Sequence, residues 1–152
     1  MINAVTWDAK MDSCKLGNTT IHRVADLENV PFSADMIYPD AKAAEMSELS
    51  SRFGVQHFDQ TTLELLLSFH AFHVCTEKYT ILVDLCCGNY KDRPARPVWH
   101  QRNGPFLANL SRSGVEPADI DFVMCTHLHA DHVGWNTQLV DGSWVPTFPN
   151  AQ

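Results

Sequence analysis

The run Ile120-Asp121-Phe122-Val123-Met124-Cys125 is apolar apart from Asp121, and it ends directly at Thr126-His127-Leu128-His129-Ala130-Asp131-His132. A short apolar run next to a turn-forming, polar stretch reads as a buried strand. The chain must therefore fold so that a strand buried in a sheet opens at its end onto a polar pocket. At the end of a strand the backbone is still extended, so His127 and His129, two apart, point the same way. Asp131 and His132 follow as the chain turns toward a helix, and they face the same pocket from its other side. Imidazoles and carboxylates are the natural ligands of zinc and similar divalent ions. The spacing thus offers two pairs of ligands to two adjacent metal positions. Two such metals about 3.5–4 Å apart share a water, lower its pKa and polarise a carbonyl or phosphoryl oxygen. With this chain's own histidine and aspartate frequencies, such a run arises by chance about once in several hundred sequences.

The segments before the motif fit the same picture. Leu16 to Val24 reads as a strand behind a turn at Gly17-Asn18. Asp26 to Asp59 carries Pro31 and Pro39 and has weak periodicity; it reads as a covering or connecting region with a short helix around Asp40 to Phe53, capped by Asp40. Leu65 to Leu85 is the clearest hairpin, with two runs rich in Phe, Val, Ile, Tyr and Thr around the polar break Thr76-Glu77-Lys78. Its second strand has Tyr79, Ile81, Val83 and Leu85 on one face and Leu82 on the other, which predicts burial on both sides. Asp84 at its end is expected to hydrogen-bond the following loop, Cys86-Cys87-Gly88-Asn89.

Lys91 to Gly104 is a loop rich in Arg and Pro, and Lys91, Arg93, Arg96 and Arg102 in it read as solvated. Pro105 to Ser113 turns helical, with Asn103 placed to cap it, Gly114 to end it, and Phe106, Leu107 and Leu110 as its buried stripe. Gln138 to Phe148 reads as a hairpin turning at Asp141-Gly142. His70 and His73, three apart on a strand, point to opposite faces and read with His22, His57 and His100 as structural or surface residues. The five cysteines show no C-x-x-C spacing and are expected to be reduced and mostly buried.

Thr126-His127-Leu128-His129-Ala130-Asp131-His132 resembles the T-H-x-H-x-D-H signature of the metallo-β-lactamase superfamily. The hairpin ending Ile81-Leu82-Val83-Asp84, the Gly88-Asn89 loop, the helix at Pro105 to Ser113 and the strand at Ile120 to Cys125 occur in that family's order. The stretch from Asp131 to Thr137, with Val145 to Ala151, looks like a branch of hydrolases near the quorum-quenching lactonases and organophosphate hydrolases. The resemblance covers about residues 16–152. It implies an α/β (α+β) fold, the αββα sandwich, with a two-metal site at one edge. His127 and His129 would bind the first metal, Asp131 and His132 the second. Asp131 would also orient the water or handle a proton, and a metal-bound hydroxide would attack a small-molecule ester, lactone or phosphoester. Zn2+ is the expected cofactor, up to two ions, with Fe or Mn able to use the same ligands. No protein nucleophile is needed, and the chain has no G-x-S-x-G.

The family pattern needs a further histidine for each metal and a bridging carboxylate well downstream. After His132 the only carboxylate is Asp141 and there is no histidine. The resemblance therefore implies that residues 1–152 form a single partial domain, the N-terminal half of the fold, binding metal weakly and catalytically poor alone. A glyoxalase II-type thioesterase is an alternative within the family, weakened by Trp135 where many of those sequences have glycine. A non-catalytic fragment or binding module, completed by a partner, is an alternative outside it, and a homo-oligomer is compatible with it.

Composition narrows the partners. A net charge of −7 argues against a nucleic-acid or anionic-membrane binder, leaving a small-molecule substrate. No apolar run approaches the roughly 20 residues of a membrane span, and the segment beginning MINAVTWDAKMDSC lacks the basic start and apolar core of a secretory signal. A cytoplasmic protein is expected.

Overall fold

The computed structural model describes residues 6–8 and 12–152. Part of the N-terminal segment read above for a secretory signal lies outside the described residues. Among the described residues, strands β1 (Thr6–Asp8), β2 (Ser13–Leu16), β3 (Thr19–Phe32), β4 (Leu65–Cys75), β5 (Thr80–Val83) and β6 (Phe122–Met124) form one six-stranded sheet in the order β1-β2-β3-β4-β5-β6. A separate two-stranded sheet pairs β7 (Thr137–Val140) with β8 (Ser143–Pro146). The helices are α1 (Ala34–Ile37), α2 (Ala43–Phe53) and α3 (Phe106–Arg112). No helix among the described residues is long and apolar enough to cross a membrane. The mixed sheet with its helices is the α/β arrangement expected from the sequence.

The chain divides into two compact units, residues 1–26 with 69–152, and residues 27–68. In the first, β4 and β5 are the two arms of the expected hairpin, antiparallel with Phe72 opposite Val83 and Cys75 opposite Thr80. The Thr76 hydroxyl closes the turn by accepting from the Lys78 and Tyr79 amides. β5 pairs next with β6, now in parallel, with Ile81 opposite Phe122 and Val83 opposite Met124. A parallel pair needs a crossover, and α3 lies in that connection. Phe106 and Leu110 of α3 are fully buried with Leu82, Leu85 and Ile120, and Leu107 packs at the margin. The leucine stripe is thus the helix's core face. Leu82 is fully buried, whereas Ile81 and Val83 on the other face of β5 are half-buried.

Several local expectations shift. The turn at Gly17-Asn18 is present, but the strand after it starts at Thr19 and runs on to Phe32, through the region read as a connection. Burial sustains it, with Val24 and Asp26 buried in alternation. Asp40 lies in a turn and does not cap α2; the helix begins at Ala43, where the Glu45 carboxylate accepts from the Lys42 amide. Asn103 does not cap α3 either, because its side-chain oxygen accepts from Asn89. The Asp141-Gly142 turn has positive φ at both residues, 49° and 79°, which is what a tight hairpin requires.

In the second unit, α1 and α2 lie between the end of β3 and the start of β4. Val30, Ser50 and Phe58 are its buried residues. Tyr38, Met46, Leu49, Phe53, Phe58 and Leu65 line an open, mainly apolar cleft there.

Candidate metal centre

The histidine loop leaves the sheet at the carboxyl end of β6, beside the carboxyl end of β5. Crevices at the carboxyl ends of neighbouring parallel strands are where α/β sheets bind ligands. The parallel ladder continues one step past β5, with the Asp84 amide donating to Met124 O at 2.8 Å. Asp84 then takes a left-handed backbone conformation (φ 60°), which turns the chain out of the sheet and aims its carboxylate at the neighbouring loop.

That carboxylate does not serve its own following loop, as the sequence suggested. It accepts from the Thr126 amide at 2.8 Å and from the Thr126 hydroxyl at 3.0 and 2.9 Å. Its Oδ2 also lies 2.9 Å from His132 Nδ1. Burial alone would raise the Asp84 carboxyl, but the Thr126 amide, the His132 ring and the Thr126 hydroxyl together hold it below the usual carboxylate value. An ionised carboxylate only accepts. It therefore fixes a proton on His132 Nδ1 and leaves Nε2 as the ring nitrogen turned toward Asp131. The Thr126 hydroxyl spends its proton on Asp84 and so accepts from His127 Nδ1, 3.1 Å away, which leaves Nε2 of that ring turned to His129.

The four expected ligands come together. His127 Nε2 stands 3.1 Å from His129 Nδ1, and His132 Nε2 stands 3.5 Å from Asp131 Oδ2. The rings of His127 and His132 are 3.9 Å apart at their centroids, so the two pairs are neighbours. Ligands at about 2.0–2.1 Å from a tetrahedral zinc are separated by about 3.3 Å, and both pairs match one edge of such a shell. The second pair sets an imidazole nitrogen beside a carboxylate, both groups that ligate divalent ions. The donor set fits, but as two half-shells. Among the described residues no three His, Cys, Asp or Glu side chains are arranged to hold a metal ion.

The motif does not run into a helix. A single 3-10 turn, Gly134–Asn136, follows it and leads into β7. Backbone bonds tie this turn to the loop after β5: Leu85 N to His132 O at 2.9 Å, Gly134 N to Cys86 O at 2.8 Å, and Trp135 N to Leu85 O at 2.8 Å. Gly134 is required for the approach, since a Cβ there would run into the Cys87 carbonyl. Trp135 does not line the pocket. It is buried and stacked on Phe106 of α3, with centroids 5.2 Å apart and planes 21° apart.

The basic loop is not simply solvated. Lys91 Nζ donates to Thr137 O and Oγ1 at 3.0 and 2.6 Å and lies 3.6 Å from the Trp144 ring centre. Burial, with the Arg93 charge nearby, lowers it to about 8. Arg93 Nη1 donates to Cys87 O at 2.8 Å, and Arg102 pairs with the buried Asp26. The remaining histidines hold other roles. His73 is buried, donates to or accepts from Ser113 Oγ at 3.0 Å, and stacks on His22 at 5.2 Å. All five cysteines are free, with Cys86 and Cys87 buried. Burial pushes both thiols up, aided by the Asp26 charge, Cys87 to about 12. They are protonated thiols and poor nucleophiles.

Asp84 is the member of this cluster that sequence reasoning underrated. The available signal was its place at the end of a buried strand, level with the strand that carries the motif.

A mixed sheet whose parallel pair opens on a cluster of imidazole and carboxylate donors defines the class: an α/β protein with a ligand-bearing loop at its strand ends. The family model of the metallo-beta-lactamase superfamily matches residues 70–152, and the chain belongs to that superfamily. Among solved structures it is similar to a hydrolase of the beta-lactamase superfamily, AbOPH, at 29% identity and TM-score 0.67, covering 92% of this chain and 42% of that one. Its fold also matches a probable metal-dependent hydrolase from Staphylococcus aureus at 22% identity and TM-score 0.69, covering 90% of this chain and 46% of that one. A third likeness in fold is AidC, a dizinc quorum-quenching lactonase, at 22% identity and TM-score 0.65, covering 91% and 42%. The chain thus spans less than half the length of these structures. No match was found among curated proteins.

Proposed function

We propose that this chain carries one side of the active centre of a metal-dependent hydrolase acting on a small-molecule ester, lactone or phosphoester. The observation that carries the reading is the convergence of His127, His129, Asp131 and His132 with two ring tautomers set by one carboxylate, Asp84. His127 and His129 would hold one divalent ion, Zn2+ in the first instance, and Asp131 and His132 a second. Such ions supply Lewis acidity and a lowered pKa for water. The chain's own residues supply orientation. Asp84 and Thr126 engage the Nδ1 atoms of His132 and His127, which leaves their Nε2 atoms toward Asp131 and His129. Asp131, half-buried beside His132, would orient a water or take its proton. Likeness to the hydrolase AbOPH and, in fold, to the lactonase AidC supports the reaction class.

Two donors per position fall short of the three protein ligands of a catalytic zinc site, so we propose that this chain alone binds metal weakly. The same shortfall favours the second reading, a non-catalytic module of this fold. Titrating Zn2+ and Co2+ into the chain by calorimetry, and assaying aryl esters and lactones with and without chelator, tests both. Saturable binding lost in His127→Ala/His129→Ala, with chelator-sensitive turnover, supports the hydrolase. Binding without turnover supports the module. Turnover indifferent to chelator, or binding unchanged in that variant, refutes the assignment.

A further inference from the structure

Asp26 on β3 has no exposed side-chain surface, and its partner Arg102 is nearly as deeply placed. Arg102 Nη1 donates to Asp26 Oδ2 at 2.7 Å and Nη2 to the Asp26 carbonyl at 2.9 Å. Oδ1 has no hydrogen-bond partner among the described residues. A buried ion pair of this kind is seldom the most stable choice; well-packed apolar residues of similar volume often do as well or better. Its presence asks for another reason.

The reason lies in what else Oδ2 holds. The Cys87 amide donates to it at 3.1 Å. The Cys87 carbonyl accepts from Arg93 at 2.8 Å. Both polar groups of one residue are thus gripped by charged side chains, which make stronger hydrogen bonds than neutral ones. Cys87 sits at the contact with the histidine loop. Next to it, Gly88 lies so close to Gly134 that a Cβ on it would come 2.5 Å from Gly134 O. Just before it, Leu85 and Cys86 make the three backbone bonds to His132, Gly134 and Trp135. The segment from Leu85 to Gly88 is therefore the surface on which the back of the histidine loop is laid, and Asp26 and Arg93 fix where that surface stands.

We infer that Asp26, braced by Arg102, is a positioning residue for Asp131 and His132, acting through the Cys87 peptide. It touches neither of them. The link to metal binding rests on the function proposed above; the link to loop position does not.

Amide hydrogen exchange on the full chain tests it, with the β4–β5 ladder as internal reference. In Asp26→Leu/Arg102→Met the interior stays filled but the grip on the Cys87 amide is gone, leaving only Arg93 on its carbonyl. The expected result is an unfolding midpoint close to the parent's, with exchange at Leu85, Gly134 and Trp135 at least tenfold faster relative to β4–β5. Asp26→Asn keeps an acceptor for the Cys87 amide and should show a smaller loss; it decides the matter if the double variant does not fold. Exchange at the three amides unchanged, or accelerated only in step with β4–β5, overturns the inference. Co2+ titration of the same proteins should show at least tenfold weaker binding in the double variant. A parent chain that takes up no Co2+ overturns the proposed function, while the exchange ratio still decides the role of Asp26.

Discussion

Replacing Gly134 by alanine places one methyl group where the structure has none to spare. The new Cβ would overlap the Cys87 carbonyl carbon and oxygen, well inside the roughly 3.5–4.0 Å of normal contact. Backbone cannot swing aside as a long side chain can, and the Cys87 peptide is held from both ends by Asp26 and Arg93. The loops must part. Overpacking of this kind costs about 1–3 kcal/mol. Parting also strains the Gly134–Cys86 and Trp135–Leu85 bonds, each about 1 kcal/mol net. The expected destabilisation is about 3–5 kcal/mol, and at about 2–4 °C per kcal/mol for a chain of this size the Tm should fall by roughly 10 °C. Circular dichroism melts and urea titrations measure it. Gly142→Ala is the control: its φ is glycine-like at 79°, unlike that of Gly134, but nothing lies within reach of its Cβ, so it should cost only about 1 kcal/mol of backbone strain. If Gly134→Ala costs no more than Gly142→Ala, the close packing of the two loops is not what holds the histidine loop in place.

Three further outcomes follow from the same geometry. Asp84→Asn removes the charge and exchanges one of the two carboxylate acceptors that set the His132 and Thr126 protons for an amide donor, so Zn2+ affinity should fall about 10–100-fold, read by calorimetry, with a smaller effect on the melting point. Trp135→Ala opens a cavity against Phe106 and should cost about 3–5 kcal/mol in denaturant titrations. Acid stability should depend on His73. Burial, with His22 alongside, lowers it from 6.5 to about 4, so it is neutral when folded and gains a proton on unfolding below pH 6.5. Its contribution is complete above pH 6.5 and lost as pH falls toward 4. At about 1.4 kcal/mol per pH unit this amounts to about 3 kcal/mol. Urea titrations from pH 4 to 7 should show this slope, and it should flatten in His73→Gln.

The motif and its surroundings were legible because they rest on local rules. Alternation marked the β4–β5 hairpin, Asp141-Gly142 marked the second hairpin, and the apolar stripe of Phe106, Leu107 and Leu110 marked α3. The four donors came from spacing at a strand end. What escaped the sequence was non-local. Asp84 and Thr126 are 42 residues apart, and only the parallel pairing of β5 with β6 makes them neighbours. Asp26 and Arg102, 76 residues apart, turn part of a basic loop into an interior ion pair. Caps were misplaced for a related reason: Asn103 is engaged by Asn89 rather than by the helix beside it.

The parallel pairing of β5 and β6 also bears on how the centre comes into being. The Thr80 amide finds the Asp121 carboxylate 41 residues away, and closing a loop of that length costs entropy before any contact repays it. The hairpin of β4 and β5 needs no such closure and can form early. Asp84 meets Thr126 and His132 only once β6 has docked, so the ring tautomers are set by the same event that joins the two strands. A chain paused before that event would carry all four donors but no oriented lone pairs, and metal uptake would then track the slow, long-range step of folding.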